Sequence, residues 1–161
     1  MNRNTRTIAK IAGIVIATLI CSLLAYYISS AVTGPQLATL SNKMSYNSWQ
    51  DKFFKVTIVT GGLTGICSLI WFILARFAFK INSAFSTGRR TIWALLAAVS
   101  FFGSILIPRF YSASQGIQIN IVIIALFVLF FTVVGYWLVG IFVTPKPFKY
   151  TPLGAQLFSR R

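Results

Sequence analysis

The sequence is nearly devoid of acidic side chains and has no histidine. Its 161 residues include one aspartate, Asp51, and no glutamate. No pair of carboxylates is therefore available for acid–base catalysis or for binding a hard metal ion. The lack of imidazole also excludes the zinc and haem sites that depend on histidine. We expect no enzyme activity, no catalytic residue, no metal and no cofactor.

Charged residues as a whole are scarce, at 10% of the chain, whereas a soluble domain has about 25%. Hydrophobic residues make up 57%, and they occur in runs long enough to cross a bilayer. The two cysteines, Cys21 and Cys67, lie inside such runs, where a free thiol behaves as a small apolar group, so we expect no disulfide. The composition predicts a single all-α membrane domain.

Four apolar runs predict four transmembrane helices. The predicted spans are about 11–32, 56–79, 91–107 and 117–143, followed by a basic tail over 144–161. The first run has 22 residues, more than the roughly 7–15 of a cleavable signal peptide, so it is expected to be a true span. Gly34-Pro35 is predicted to end the first span, and Pro108 the third.

Basic residues are distributed unequally between the two sides of the predicted membrane domain. Eleven of the fifteen lysines and arginines fall in the amino-terminal segment, the loop between spans two and three, and the tail; four fall on the other side. The positive-inside rule therefore predicts that both termini are cytoplasmic. Because the charges form short clusters between apolar runs and no single basic face, we expect contact with anionic lipid headgroups and no nucleic-acid binding.

Small residues recur at four-residue intervals in the first span. The row consists of Ala9, Gly13, Ala17, Cys21, Ala25 and Ser29. The second span contains Gly61 and Gly65, a GxxxG pair. Such rows let two helices approach closely, and they serve either the packing of these four spans, the favoured interpretation, or contact with a separate membrane helix. Ala17, Gly61 and Gly65 are thus candidate partner contacts.

Two further candidates lie outside the rows of small residues. Trp49 belongs to an aromatic series with Tyr46 and Phe53, predicted to lie along the membrane surface as a short amphipathic segment at the outer interface. Arg109, beside two aromatic residues, is either a recognition point or an interfacial anchor.

Short sequence matches distributed over all four spans give the chain a resemblance to a known family. The matching segments are Leu19-Ile20-Cys21 leading to Tyr26 and Tyr27, Ser45-Tyr46-Asn47 followed by Lys52, Phe79-Lys80-Ile81, Phe130-Phe131-Thr132, and Thr144-Pro145 with Phe148-Lys149. In these segments the chain resembles the immunity proteins that protect bacteria against colicin A-type pore-forming toxins. The spacing differs around span two and the start of the tail, which leaves the identity of the toxin open.

The resemblance implies a protein of the bacterial inner membrane that binds the carboxy-terminal, pore-forming domain of a bacteriocin and stops its channel from opening. Two other functions stay open from the residues alone. One is a small structural or accessory subunit of an envelope complex, such as secretion or conjugation machinery. The other is a small channel or facilitator lined by serine, threonine and Asn120, although no ring of charged residues marks a filter. The oligomeric state is not predicted.

Overall fold

The chain is almost entirely helical. The computed structural model describes residues 3–40, 46–78, 86–114, 119–145 and 151–152, and for 3–4, 33–40, 46 and 86–87 it describes the backbone alone. The four helices are α1 (Arg3–Leu40), α2 (Tyr46–Ile73, continued by a π-helical turn at Leu74–Ala78), α3 (Ser86–Ser114) and α4, which is built from Ile121–Phe127, a π-helical stretch at Val128–Leu138, and Val139–Val143.

Each helix contains a segment long and apolar enough to cross a membrane. These segments are Thr5–Val32, Asn47–Ala78, Gly88–Ser114 and Ile121–Val143. The prediction of four helices that are long and apolar enough to span a membrane is therefore confirmed. Lys80 of the predicted basic loop and most of the predicted tail, including Lys146 and Lys149, lie outside the described residues.

Two predicted helix ends are wrong. The backbone of α1 stays helical through Gly34 and Pro35 to Leu40, and α3 continues through Pro108 to Ser114. A proline removes one backbone hydrogen bond, but membrane helices tolerate it where hydroxyl side chains and neighbouring helices satisfy backbone groups. In α3 the hydrogen bond lost at Pro108 is the one to the Ser104 carbonyl, and one turn later the Ser112 hydroxyl contacts the carbonyls of Pro108 and Arg109.

The predicted surface segment around Trp49 is also wrong. Residues 46–55 form the first turns of α2, and Trp49 and Phe53 point into the bundle, with exposed fractions of 3% and 0%. Their rings stack with centroids 4.9 Å apart, and Phe53 continues the contact to Phe127 of α4 at 5.7 Å. The aromatic spacing therefore marks a core-facing stripe, because these rings bury more surface against α4 than they would at an interface.

The helices pack as an up-and-down bundle in which α2 contacts the other three. Lys10, near the start of α1, donates a hydrogen bond from Nζ to the carbonyl of Val143 at the end of α4, over 2.8 Å. The beginnings of α1 and α3 and the ends of α2 and α4 therefore share one end of the bundle, called here the Lys10 end. The opposite end, called here the Trp49 end, holds an aromatic cluster of Trp49, Phe53, Phe127 and Phe131.

Candidate functional site

The two glycines of the GxxxG pair face α1. A Cβ built at Gly61 would lie 2.1 Å from Oγ of Ser22 and 3.2 Å from Cε1 of Phe131, and one built at Gly65 would lie 3.1 Å from Cγ2 of Thr18. No side chain larger than hydrogen fits at Gly61 unless the Ser22 hydroxyl moves. The small size of both residues is thus accounted for by contact within the bundle, where a separate helix has no access.

A seam of hydroxyl groups joins the helices through the interior. Thr64 of α2 and Ser100 of α3 share a hydrogen bond of 3.2 Å, Ser104 of α3 and Thr132 of α4 share another of 3.2 Å, and Ser68 donates to the carbonyl of Gly135 over 3.1 Å. Interhelical hydrogen bonds of this kind stabilise membrane helix association. These hydroxyls are bonded to each other and to backbone, which is the arrangement of a packed interface and not of a pore lining.

The indole and phenol groups near the Lys10 end extend this network. Trp71 Nε1 donates to Oγ1 of Thr144 over 2.9 Å, and the Tyr136 hydroxyl donates to the carbonyl of Trp93 over 2.8 Å. Trp71 and Tyr136 are fully buried and share one cluster with Trp93. These aromatic residues are therefore interhelical contacts.

Sequence reasoning singled out the glycines of this interior, but it did not predict hydrogen bonds between the hydroxyl groups. A signal was present, because Thr57, Thr60, Thr64 and Ser68 recur every three or four residues and therefore share one face of α2. All four are at most 1% exposed. Polar residues on one face of an otherwise apolar span mark the side that faces protein.

The row of small residues on α1 divides into two parts. Cys21, Ala25 and Ser29 are buried, whereas Ala9 and Gly13 are exposed and Ala17 lies half-buried between them. A Cβ at Gly13 would meet no other atom within 4 Å, so the backbone of α1 is accessible there. Gly62 of α2 is equally open. These are the positions at which a second membrane helix could approach the backbone closely.

The two remaining candidate partner contacts, Trp49 and Arg109, also divide into one buried and one exposed residue. Trp49 is buried at the Trp49 end and offers no surface to a partner, whereas Arg109 is exposed at that end of α3 beside the exposed ring of Phe110. Of the five residues proposed as partner contacts, Arg109 and in part Ala17 lie on the outside of the bundle. Gly61, Gly65 and Trp49 lie inside it.

The described part of the chain contains no group of three or more cysteine, aspartate, glutamate or histidine side chains that could hold a metal ion. Comparison with protein families, curated proteins and solved structures finds no match to the chain.

Proposed function

We propose that the chain is an immunity protein of the bacterial inner membrane, with both termini cytoplasmic, that binds the pore-forming domain of a colicin-type toxin and prevents its channel from opening. The proposal starts from the sequence resemblance. One structural observation indicates where a toxin would bind: the small and hydroxyl-bearing residues of the interior are occupied by the chain's own helices, as Gly61 against Ser22 illustrates. The outer surface of the bundle is then the part available for recognition.

Recognition on that surface follows the physics of helix association in lipid. Lipid tails are as apolar as leucine, so two membrane helices associate through close packing and hydrogen bonds. A pore-forming domain that places helices in the bilayer would be held by such packing. A protein that binds the closed or partly inserted toxin more tightly than the open channel shifts the population towards the closed state, by no more than the difference in affinity.

The decisive experiment is a survival assay. Bacteria that produce this protein are exposed to a broad panel of pore-forming toxins, with nuclease toxins that use the same receptors as controls. We expect survival of one pore-forming toxin and its near relatives and full sensitivity to the nuclease toxins. Sensitivity to every pore-forming toxin of the panel would refute the proposal.

The structure also selects the variants that locate the contact. Gly13→Leu and Gly62→Leu each place a large side chain on an open outer face, on α1 and α2 respectively, where an added Cβ meets no other atom within 4 Å. If the toxin docks on α1, Gly13→Leu removes protection and Gly62→Leu keeps it, at equal amounts of folded protein in the membrane. The reverse result assigns the contact to α2. Gly61→Leu is unsuitable, because it would disrupt the fold itself.

The alternative function, as a subunit of an envelope complex, predicts that other proteins co-purify with the chain. Purification in mild detergent from cells without any toxin should yield the protein free of other envelope proteins if it acts in immunity. A stable stoichiometric complex obtained under these conditions would favour the subunit function.

A further inference from the structure

The Lys10 end concentrates positive charge from several helices. Lys10 of α1 is half-buried, and its ammonium donates to the Val143 carbonyl and lies 6.0 Å from the centroid of the Phe72 ring. Arg76, in the π-helical turn that ends α2, follows Phe72 by four residues, about one turn, and so carries its positive charge on the side of α2 that Lys10 approaches. Arg89, at the start of α3, adds a third positive charge at this end and is only 9% exposed.

No acidic side chain of this protein can balance these charges. The only one, Asp51, lies 25 residues before Arg76 on the continuous helix α2. At about 1.5 Å of rise per residue the two are separated by roughly 37 Å, several times the screening length of about 8 Å at physiological ionic strength. The hydrogen bond from Lys10 to a neutral carbonyl satisfies a donor but leaves the charge uncompensated. Two cations held close together at the edge of an apolar span favour a bound anion.

The apolar residues around Lys10 and Arg76 indicate what kind of molecule carries the bound anion. Lys10 and Arg76 each lie near an end of a membrane-spanning segment, Thr5–Val32 and Asn47–Ala78. Beside Arg76 on the outside of α2, Ile73, one turn earlier, is 49% exposed, and the adjacent Phe77 is 67% exposed. An acyl chain can lie against such side chains while a phosphate at the headgroup level contacts the cations. A free phosphate ion has no acyl chain and would gain nothing from these apolar side chains.

We propose that the phosphate of an anionic phospholipid binds between Lys10 and Arg76, with its acyl chains along the apolar surface beside them. The site is independent of toxin recognition. It holds α1 against the ends of α2 and α4 by neutralising the repulsion between two of their side chains.

The test measures lipid binding to the purified full chain in a zwitterionic detergent. Phosphatidylglycerol, phosphatidylcholine and inorganic phosphate are added separately, and bound lipid is counted by native mass spectrometry while the thermal unfolding midpoint is followed. We expect phosphatidylglycerol to bind and to raise the midpoint, and the other two to do neither. An equal rise with inorganic phosphate or with phosphatidylcholine would overturn the proposal.

Variants locate the site. Arg76→Gln should bind phosphatidylglycerol about fivefold more weakly, the factor that corresponds to about 1 kcal/mol per basic residue near an anionic surface. Arg76→Lys should keep most of the affinity, and Arg109→Gln, at the Trp49 end, should keep all of it. Because Arg76→Gln removes a repulsion, its unfolding midpoint without lipid should be no lower than that of the parent protein.

Lys10→Gln gives an independent second test, with the same expected loss of affinity for phosphatidylglycerol. Equal affinity of Arg76→Gln and Arg109→Gln would refute the site.

Discussion

Two adjacent glycines of α2 offer the sharpest test of the packing between α1 and α2. A Cβ added at Gly61 would lie 2.1 Å from Oγ of Ser22, whereas one added at Gly62 would meet nothing within 4 Å. Alanine at either position gains the same intrinsic helix propensity, about 0.8–1.0 kcal/mol relative to glycine. The difference in unfolding free energy between Gly61→Ala and Gly62→Ala therefore isolates the contacts of the new methyl group, chiefly with Ser22 of α1 and also with Phe131 of α4.

The magnitude of that difference follows from the atoms involved. Inserting a methyl group into a closely packed interface costs about 1–3 kcal/mol. Ser22 can move its hydroxyl away from the new methyl group, but this would break the 2.9 Å hydrogen bond that it donates to the carbonyl of Thr18. Such a bond contributes about 0.5–1.5 kcal/mol. We expect Gly61→Ala to be about 1–3 kcal/mol less stable than Gly62→Ala.

A second substitution tests the cause. With Ser22→Ala the Oγ atom is gone, and the nearest atom of residue 22 to the new methyl group is its Cβ at 3.4 Å, an ordinary contact distance. In the Ser22→Ala background, Gly61→Ala should therefore lose most of its cost. Unfolding in mixed micelles, followed by circular dichroism, gives the four free energies of the cycle. The reasoning is refuted if Gly62→Ala is as destabilising as Gly61→Ala, or if Ser22→Ala gives no relief.

Three other predictions concern the polar contacts and the topology. Lys10→Met keeps the aliphatic stem but loses a charged donor to the last turn of α4, so a loss of about 1–2 kcal/mol is expected in the same unfolding assay. A double-mutant cycle with Thr64→Ala and Ser100→Ala should give a coupling of about 0.6 kcal/mol, and a coupling of zero would remove this hydrogen bond from the interface. In a cysteine-free background, a membrane-impermeant thiol reagent applied to whole cells should label Arg109→Cys but not Arg90→Cys if the positive-inside assignment is correct.

Hydropathy predicted the four spans because span formation depends on an average over about twenty residues, which no single contact alters. The ends of the spans depend on individual backbone groups. Pro108 is a stop signal in isolation, yet α3 continues past it to Ser114. The proline removes a single backbone hydrogen bond, whereas a helix end inside the bilayer would leave several backbone groups unsatisfied. The helix that Gly61 contacts could not be predicted from the sequence either. A GxxxG pair predicts close approach of two backbones but does not specify whether the second helix belongs to the same chain.

The row of small residues on α1 was expected to form a single ridge, and helix geometry explains why it does not. Residues four apart in an α-helix are offset by about 40° around the axis, because each residue turns the helix by about 100°. Over the five steps from Ala9 to Ser29 the row rotates by roughly 200°. It therefore begins on the outside at Ala9 and Gly13, reaches the edge of the bundle at Ala17, and ends buried against α2 and α4 at Cys21, Ala25 and Ser29. The part that packs the bundle and the part open to a partner helix lie on the same helix in succession. Substitutions near Gly13 can thus test recognition without disturbing the fold.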